Sequence, residues 1–481
     1  MTSRAVQRIL IIGAGFEGWL TAAKLARAFD TRAVDVAVCA AAGASAWDRL
    51  YTIQPWHPQD SLRAIGINDL LLVQYHEALY SLGADLSLPC AMPNGSVWPY
   101  GPVGIEYSGI AFHHHWTCEQ AHARAFFDYS PATRAIQRAA FAPPAPRNAI
   151  GTLQHEIARH VDIDGVTATL RQTALDAGVE RWPGTFETAD YAQESRRIAG
   201  ITVNGEQRSA DLYIDCSGPL RVLSGRAKSW TQATGAAPLS VRTDLRPHTA
   251  PHTPCHSVQG DESGWRVVVP LQTQDVVLKL ATDGGNGRLL TPGRSQRLWQ
   301  DNHVAIGFSG WHTLPILPLQ MLLLTHCIDR LIALMPGVDC APGETLEFNQ
   351  LMARDIDEAL ALQLLLEHAR TQGKLPGSGD SIGNQSLDER IALFRKRGWV
   401  VDTDGALIDA NDWIKTMMLL GIHPQQADAM TGRMSQEQRR QMLDNLDKHI
   451  AMVVDQFPTL HNYMLAAIAA GDTASGQKDR S

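Results

Sequence analysis

Apolar and polar positions follow two different periods along the chain, and the switches between them mark its organisation. Arg8-Ile9-Leu10-Ile11-Ile12 is a short apolar run of the length of a buried strand. It stops at Gly13-Ala14-Gly15-Phe16-Glu17-Gly18, after which Trp19, Ala22, Ala26 and Phe29 recur at helical spacing, so a helix is predicted from about Phe16. Val34-Asp35-Val36-Ala37-Val38 reads as the second strand. Residues 58–90 mix short helical patterns with Gly and Pro, and residues 91–118, rich in Pro, Gly, Trp, Tyr and His, predict loops with short strands. Ala158–Val179 is helical in pattern, with Gly178 near its end. Residues 195–216 alternate as strands, 238–282 are strand-like, and Val304-Ala305-Ile306-Gly307 is another buried strand closing on glycine. From Gln320 to about Ala470 the pattern is mostly helical, and residues 471–481 read as a disordered tail. No internal repeat is visible.

The strand–glycine turn–helix–strand order at the start gives the GxGxxG spacing its meaning. Gly13, Gly15 and Gly18 permit a tight turn and close backbone approach, and the helix start faces the ligand with its positive dipole end, as a pyrophosphate requires. The same turn can also serve structure alone. Two features depart from the dinucleotide pattern. The acidic residue expected at the end of the second strand is missing, the chain reading Val38-Cys39-Ala40-Ala41. Glu17 lies in the first helical turn, where a carboxylate competes with a diphosphate for the dipole, although it can equally stabilise the helix start.

Composition narrows the class. The 481 residues are 44% hydrophobic and 19% charged, the balance of a globular chain of two to three domains or one large interleaved fold. The net charge of −8 argues against general nucleic-acid binding. The seven cysteines (39, 90, 118, 216, 255, 327 and 340) are scattered, with no CxxC, which argues for a reducing compartment rather than a disulfide scaffold. The most apolar stretch, Leu314–Leu324, is broken by Pro315, Pro318 and Gln320, so no membrane span is expected and the location expected is cytoplasmic.

Taken in order, the motifs resemble those of the flavin-dependent tryptophan halogenases. Gly13–Trp19 looks like that family's opening glycine–tryptophan motif, and Asp211-Leu212-Tyr213-Ile214-Asp215-Cys216-Ser217-Gly218 resembles its second FAD-contacting segment. Gly264-Trp265-Arg266-Val267-Val268-Val269-Pro270-Leu271 sits where the family carries Trp-x-Trp-x-Ile-Pro. Gly293-Arg294-Ser295, Leu298-Trp299, Asn302 and Val304–Gly307 resemble its third FAD region, and Phe112-His113-His114, Asp412-Trp413-Ile414 and Gly421-Ile422 fall in the family order. The resemblance covers about residues 7–465. It implies an α/β, FAD-dependent monooxygenase-like fold: a Rossmann-type FAD domain with an interleaved β-sheet substrate region, plus a mostly helical C-terminal region. The expected division is 1–345 for the FAD and substrate region, with the substrate sheet at roughly 226–290, then 346–470 helical and 471–481 the tail. Cofactor contacts are expected from Gly13, Gly15, Gly18, Ser217, Gly218 and Gly307. FAD is expected to bind weakly and to arrive reduced from a separate flavin reductase.

The family's catalytic groups do not carry over. Its lysine lies in a Phe-Lys-Leu-Gly segment, which here reads Leu79-Tyr80-Ser81-Leu82-Gly83, so Ser81 takes that position. Its Glu-Pro-Leu-Glu-Ser-Thr stretch reads Leu314-Pro315-Ile316-Leu317-Pro318-Leu319, with Leu317 at the catalytic glutamate. Its strap over the flavin has become roughly Thr52-Ile53-Gln54-Pro55-Trp56, and Val267 replaces the second Trp of Trp-x-Trp. A hydroxyl cannot serve as an amine carrier or an ammonium donor.

Other clusters have structural readings beside the functional ones. His113 and His115 would share a face in a strand, yet the family already has Phe-His-His here, and no metal is expected. His155 and His160 are five apart, roughly 140° around a helix and so not one zinc-binding face. Gly307-Phe308-Ser309-Gly310-Trp311 lacks the final glycine of a nucleophile elbow. The twelve Trp residues line an aromatic cleft or fill cores. His113, His114, Glu106 and His312 are the candidate pocket groups, the catalytic residues remaining unassigned. The leading expectation is a flavin-dependent oxidoreductase or monooxygenase acting on a small aromatic, indole-type substrate without halogenating it. The alternatives are a non-catalytic binding or partner protein on the same scaffold, and a halogenase with relocated groups. Neither nucleic acid nor membrane is expected as a partner, and a homodimer is open.

Overall fold

The computed structural model describes residues 4–55, 61–89, 97–121, 123–144, 155–192, 197–226, 230–233, 236–282, 286–371, 387–401 and 405–478. At its centre β1 (Arg8–Ile12) lies between β2 (Asp35–Ala40) and the strand Leu212–Asp215, parallel to both. The strand His303–Ala305 continues the parallel order beyond Leu212–Asp215, and Glu180–Tyr191 continues it beyond β2. Helix α1 (Phe16–Ala28) crosses from β1 to β2 and packs on the helix Ile163–Asp176. Ile9 and Ile11 enter the large core shared with α1, whereas Leu10 and Ile12 enter a smaller core with Ile198, Ile201 and Val203. Burial on both faces explains why β1 reads as an unbroken apolar run.

A second, seven-stranded sheet carries the strands Leu239–Pro247, His256–Asp261, Gly264–Pro270, Gln274–Ala281 and Arg288–Leu290. It also takes Gly83–Ser87 and Val97–Pro99, which lie far outside the 226–290 stretch expected to supply it. Ala84 pairs with His256, so the chain enters this sheet early and returns much later. Val267 is fully buried in it. The C-terminal part is helical, built on Leu319–Ala333, Pro342–Arg370, Leu387–Arg397, Ala410–Leu419, Gln436–Val454 and Leu460–Lys478. The last of these continues to Lys478, through most of the segment expected to be a disordered tail. The fold is thus the α/β arrangement with a Rossmann-type domain, an interleaved sheet and a helical C-terminal region. Among the described residues no helix is long and apolar enough to cross a membrane.

One segment departs from its sequence reading in kind. Phe112–Glu119 is a helix rather than loop or strand. Its aromatic content predicts a strand, but Phe112 packs on Phe126 and Tyr129, and Glu119 receives Arg439 at 3.0 Å and Arg440 at 2.9 Å from the helix Gln436–Val454. Tertiary packing outweighs local composition here.

The carboxyl ends of the central strands are tied together by Asp215, which is fully buried. It accepts from the backbone N–H of Ser217 at 3.1 Å, Leu223 at 2.9 Å and Ser224 at 3.2 Å, and from the hydroxyls of Ser217 at 2.6 Å and Ser224 at 3.1 Å. The Ser309 hydroxyl approaches the same carboxylate at 3.0 Å. Asp215→Ala strands these donors, and a buried donor without a partner costs about 1–3 kcal/mol. We expect the variant to lose several kcal/mol of stability, read as a lowered urea midpoint, with Asp215→Asn losing less. An unchanged midpoint for the alanine variant contradicts this account of the hub.

Candidate functional site

The residues expected to contact a cofactor converge at the carboxyl ends of these strands. A methyl group on Gly13 would lie 2.0 Å from the Cys216 carbonyl oxygen, and one on Gly18 1.8 Å from the Gly13 carbonyl oxygen, so both glycines are required by close backbone approach. Ser217 and Gly218 follow directly, and the Ser309 hydroxyl reaches the Gly218 carbonyl oxygen at 3.1 Å. Gly307, with φ +66°, faces the start of α1 so closely that a methyl group on it would lie 2.1 Å from the Glu17 carboxyl.

Glu17 is not a surface charge at the helix start. Its side chain is buried and accepts the Phe308 N–H at 2.7 Å and the Tyr51 hydroxyl, while Tyr51 accepts from Gln320 Nε2 at 3.1 Å. Burial, partly offset by those two hydrogen bonds, raises its carboxyl from the ordinary 4.5 to about 8. Near neutral pH it is therefore largely an uncharged acid. That corrects the expectation of a carboxylate repelling a diphosphate: the residue joins α1 to the Gly307–Ser309 turn.

Asp48 is the acid that does face the helix start. Residues 44–51 form a 3₁₀ segment, and its Asp48, 4% exposed, faces the backbone N–H of Phe16. A methyl group on Gly15 would lie 2.8 Å from Asp48 Oδ1. Burial raises this carboxyl from 3.8 to about 7, opposed by the Phe16 hydrogen bond. Trp47 lies over Gly218 and against Phe308, the two rings 5.5 Å apart. No spacing rule marks Asp48 in the sequence, because its partner is a backbone N–H from another element.

A cavity of about 470 Å³ lies nearby, between Gln54 and Pro55, Trp98 and Tyr100, Pro318 and Leu319, and the helix Ala410–Leu419. Trp56 lies outside the described residues. Lys415 enters the cavity wall 3% exposed, bound to the carbonyls of Pro99 at 3.1 Å and Gly101 at 3.0 Å and to Asp412 at 2.9 Å, with its ammonium 4.1 Å from the Trp98 ring centre. The Asp409 cap and the Asp412–Lys415 spacing mark a helix start in the sequence but do not mark a cavity. Ser81 lies behind this wall, fully buried, paired in register with Ala158 and donating to the Gly83 carbonyl at 3.1 Å. Leu317 is likewise core.

The four candidate pocket groups are not assembled into one site. His113 contacts the Gly398 carbonyl at 2.7 Å, and His114 accepts from Asp428 N–H at 3.2 Å, both within the helical region. Burial lowers His113 to about 4, with neighbouring His114 adding to the effect. Glu106 is exposed on a loop. His312 lies against Trp230 at 4.4 Å, close to the carbonyls of Thr291 and Phe308, and burial lowers it to about 4. As a neutral ring it donates to one of those carbonyls only. Among the described residues no group of three acidic, His or Cys side chains could hold a metal.

The geometry defines a dinucleotide-type α/β protein with a glycine turn at the start of its first helix and a separate aromatic-lined cavity. The family model for tryptophan halogenases matches residues 8–277 and 276–436, and the chain belongs to that family. It is 23% identical over 239 residues to the 7-chloro-L-tryptophan 6-halogenase KtzR of Kutzneria sp. (strain 744), a match spanning 43% of this chain and 46% of that protein, so under half its length. The fold is that of BrvH, a flavin-dependent halogenase from Brevundimonas sp. BAL3, with TM-score 0.84 and 21% identity over 96% of this chain and 99% of that one. It equally matches Xcc4156, a flavin-dependent halogenase from Xanthomonas campestris, with TM-score 0.83, 21% identity and the same coverage.

The raised Glu17 carboxyl has a consequence for stability. The folded state holds this proton up to about pH 8, whereas an unfolded glutamate releases it near 4.5. Its contribution is complete below the unfolded value and is lost as pH rises through the folded one. Asp48 acts in the same direction, up to about pH 7. We expect unfolding free energy to fall between about pH 5 and pH 8, and Glu17→Gln to show a shallower fall. Urea titrations of both proteins at several pH values decide it. Parallel curves contradict the assignment.

Proposed function

We propose that this chain is a flavin-dependent oxidoreductase of the halogenase family that acts on a small aromatic, indole-type compound and does not halogenate it. The observation carrying the last part is the burial of Ser81: its hydroxyl is spent on the Gly83 carbonyl, behind the cavity wall, where the family resemblance puts a lysine. Leu317, in the core at the place of the glutamate, agrees with it. Lys415 does not replace the lost lysine, because its three donors are committed to Pro99, Gly101 and Asp412.

The Gly13–Gly18 turn has the glycine spacing and close backbone approach that suit the pyrophosphate of FAD, and the Asp48 carboxyl beside the start of α1 supports the reading that this helix start takes an acidic group. Gly13, Gly15 and Gly18 would hold the pyrophosphate, with Ser217, Gly218 and Gly307 lining its approach. When bound, the flavin supplies the redox chemistry, after reduction by a separate reductase. The chain's own part is to orient an aromatic ring against Trp98 and Tyr100 in a cavity of about 470 Å³, a size suited to a small organic ligand. A second reading, a ligand-binding protein without redox activity, is favoured by the same Asp48, which already fills the phosphate position.

With a flavin reductase, FAD, oxygen and chloride or bromide, free tryptophan is expected to remain unmodified by mass spectrometry. Ser81→Lys alone is expected not to introduce halogenation, since Leu317 still stands where the glutamate would be needed. An enzyme-dependent halotryptophan peak from the unaltered protein overturns this proposal. In a titration, FAD is expected to bind at about micromolar affinity or weaker. Absence of binding at high micromolar FAD moves the second reading ahead.

A further inference from the structure

The flavin reading places a phosphate pair at the start of α1, and the chain already occupies that position. Gly15 caps α1 without any side chain of its own, and the Asp48 carboxyl stands beside this helix start instead. Asp48 Oδ1 and the backbone of Ser45 stand 2.8 and 3.2 Å from where a Gly15 methyl would be, so the chain itself packs against the start of α1 at the turn. A carboxylate and a phosphate oxygen ask the same of a helix start, namely unpaired N–H donors and the positive dipole end.

The filling is held as a unit. Trp47 packs on Phe308, and Tyr51 lies 5.1 Å from Phe16 and 5.5 Å from Phe308, ring centre to ring centre. Tyr51 also donates to Glu17, Arg49 pairs with Asp164 at 2.9 Å, and Arg288 donates to the Ala46 carbonyl at 2.6 Å. The Arg49–Asp164 pair is part-exposed and holds the segment weakly. The segment is entered through Gly43, which adopts a left-handed φ of +74° and has only Leu220 Cδ1 near its α-carbon's open side. Such a glycine permits a change of chain direction without a steric penalty.

We propose that Asp48 is an internal substitute for the cofactor's pyrophosphate, so that FAD is held only after Asp48 and the 44–51 segment leave the turn together. This rests on the flavin reading. Cofactor affinity is then the outcome of an exchange between the Asp48 carboxyl and a phosphate for the same helix start. A plain helix cap would contribute stability and leave affinity untouched, and this difference makes the two separable.

The test is calorimetric titration of the full-length wild type, Asp48→Ala and Asp48→Asn with FAD and, separately, with inorganic pyrophosphate. Circular dichroism confirms that each variant is folded, and the asparagine variant keeps the volume of the site if the alanine variant fails. Asp48→Ala is expected to bind both probes at least ten-fold more tightly than wild type, with Asp48→Asn between them. On saturation with FAD, the amides of residues 44–51 are expected to exchange with deuterium faster than in the free protein. Equal or weaker FAD binding by folded Asp48 variants overturns the role of Asp48 and leaves the flavin reading intact. Tighter pyrophosphate binding by Asp48→Ala, with no FAD binding by any protein, upholds the role of Asp48 and overturns the flavin reading. Binding of neither probe to any of the three overturns both.

Discussion

Three buried acids at the carboxyl end of the parallel sheet set the terms for everything built there. In an open α/β sheet this end is where ligands are taken up, and a buried carboxyl is costly unless it is hydrogen-bonded or uncharged. The three reach different solutions. Asp215 collects backbone and hydroxyl donors from Ser217, Leu223 and Ser224. Glu17 has two donors, Phe308 and Tyr51, and retains its proton to about pH 8. Asp48 has only the Phe16 N–H to oppose its burial, and retains its proton to about pH 7. The better an acid is satisfied, the harder it is to replace. Asp215 therefore belongs to the framework, Glu17 to the joint between α1 and the Gly307 turn, and Asp48 to what can be exchanged.

On the proposed reading, the framework and the chemistry of the family have separated in this chain. The glycines at 13, 15, 18 and 307 are each pinned by neighbours too close for a side chain, so folding alone is enough to retain them. Nothing of the kind holds a lysine at position 81 or a glutamate at 317, and both positions are now apolar core or a satisfied hydroxyl. An ammonium placed at Ser81 would have to displace the packing of a strand bonded to Ala158. Fold similarity at 21% identity speaks for the shared framework and is silent on those groups.

Where the sequence was legible, a local period or a backbone requirement spoke directly. β1, the glycine turn, α1 and β2 follow from apolar runs and glycine spacing, whereas Asp215 lies in a segment that reads as a cofactor contact and gives no sign of its part in tying the strands together. The misreadings arose where the deciding contact comes from far along the chain. Phe112–Glu119 is a helix whose last residue is anchored by Arg439 and Arg440. Glu17 reads as an exposed helix-start charge until Tyr51 and Phe308 close over it. Asp48 and Lys415 carry no motif, since their partners are main-chain groups whose position only the fold sets.

The two sites are also mechanically joined, and the joint is Tyr51. Its hydroxyl bridges Glu17, at the start of α1, and Gln320, next to Leu319 on the cavity wall. Its carbonyl accepts from the side chain of Gln54, which lines the same cavity. A segment that leaves the glycine turn takes Tyr51 with it, and so frees Gln54 and Gln320 at once. A buried amide stripped of its partner is costly, so the wall of the cavity has to rearrange whenever the phosphate position is vacated by the chain. On this geometry, occupancy of the turn by Asp48 and the shape of the aromatic-lined cavity are two readings of one conformational state.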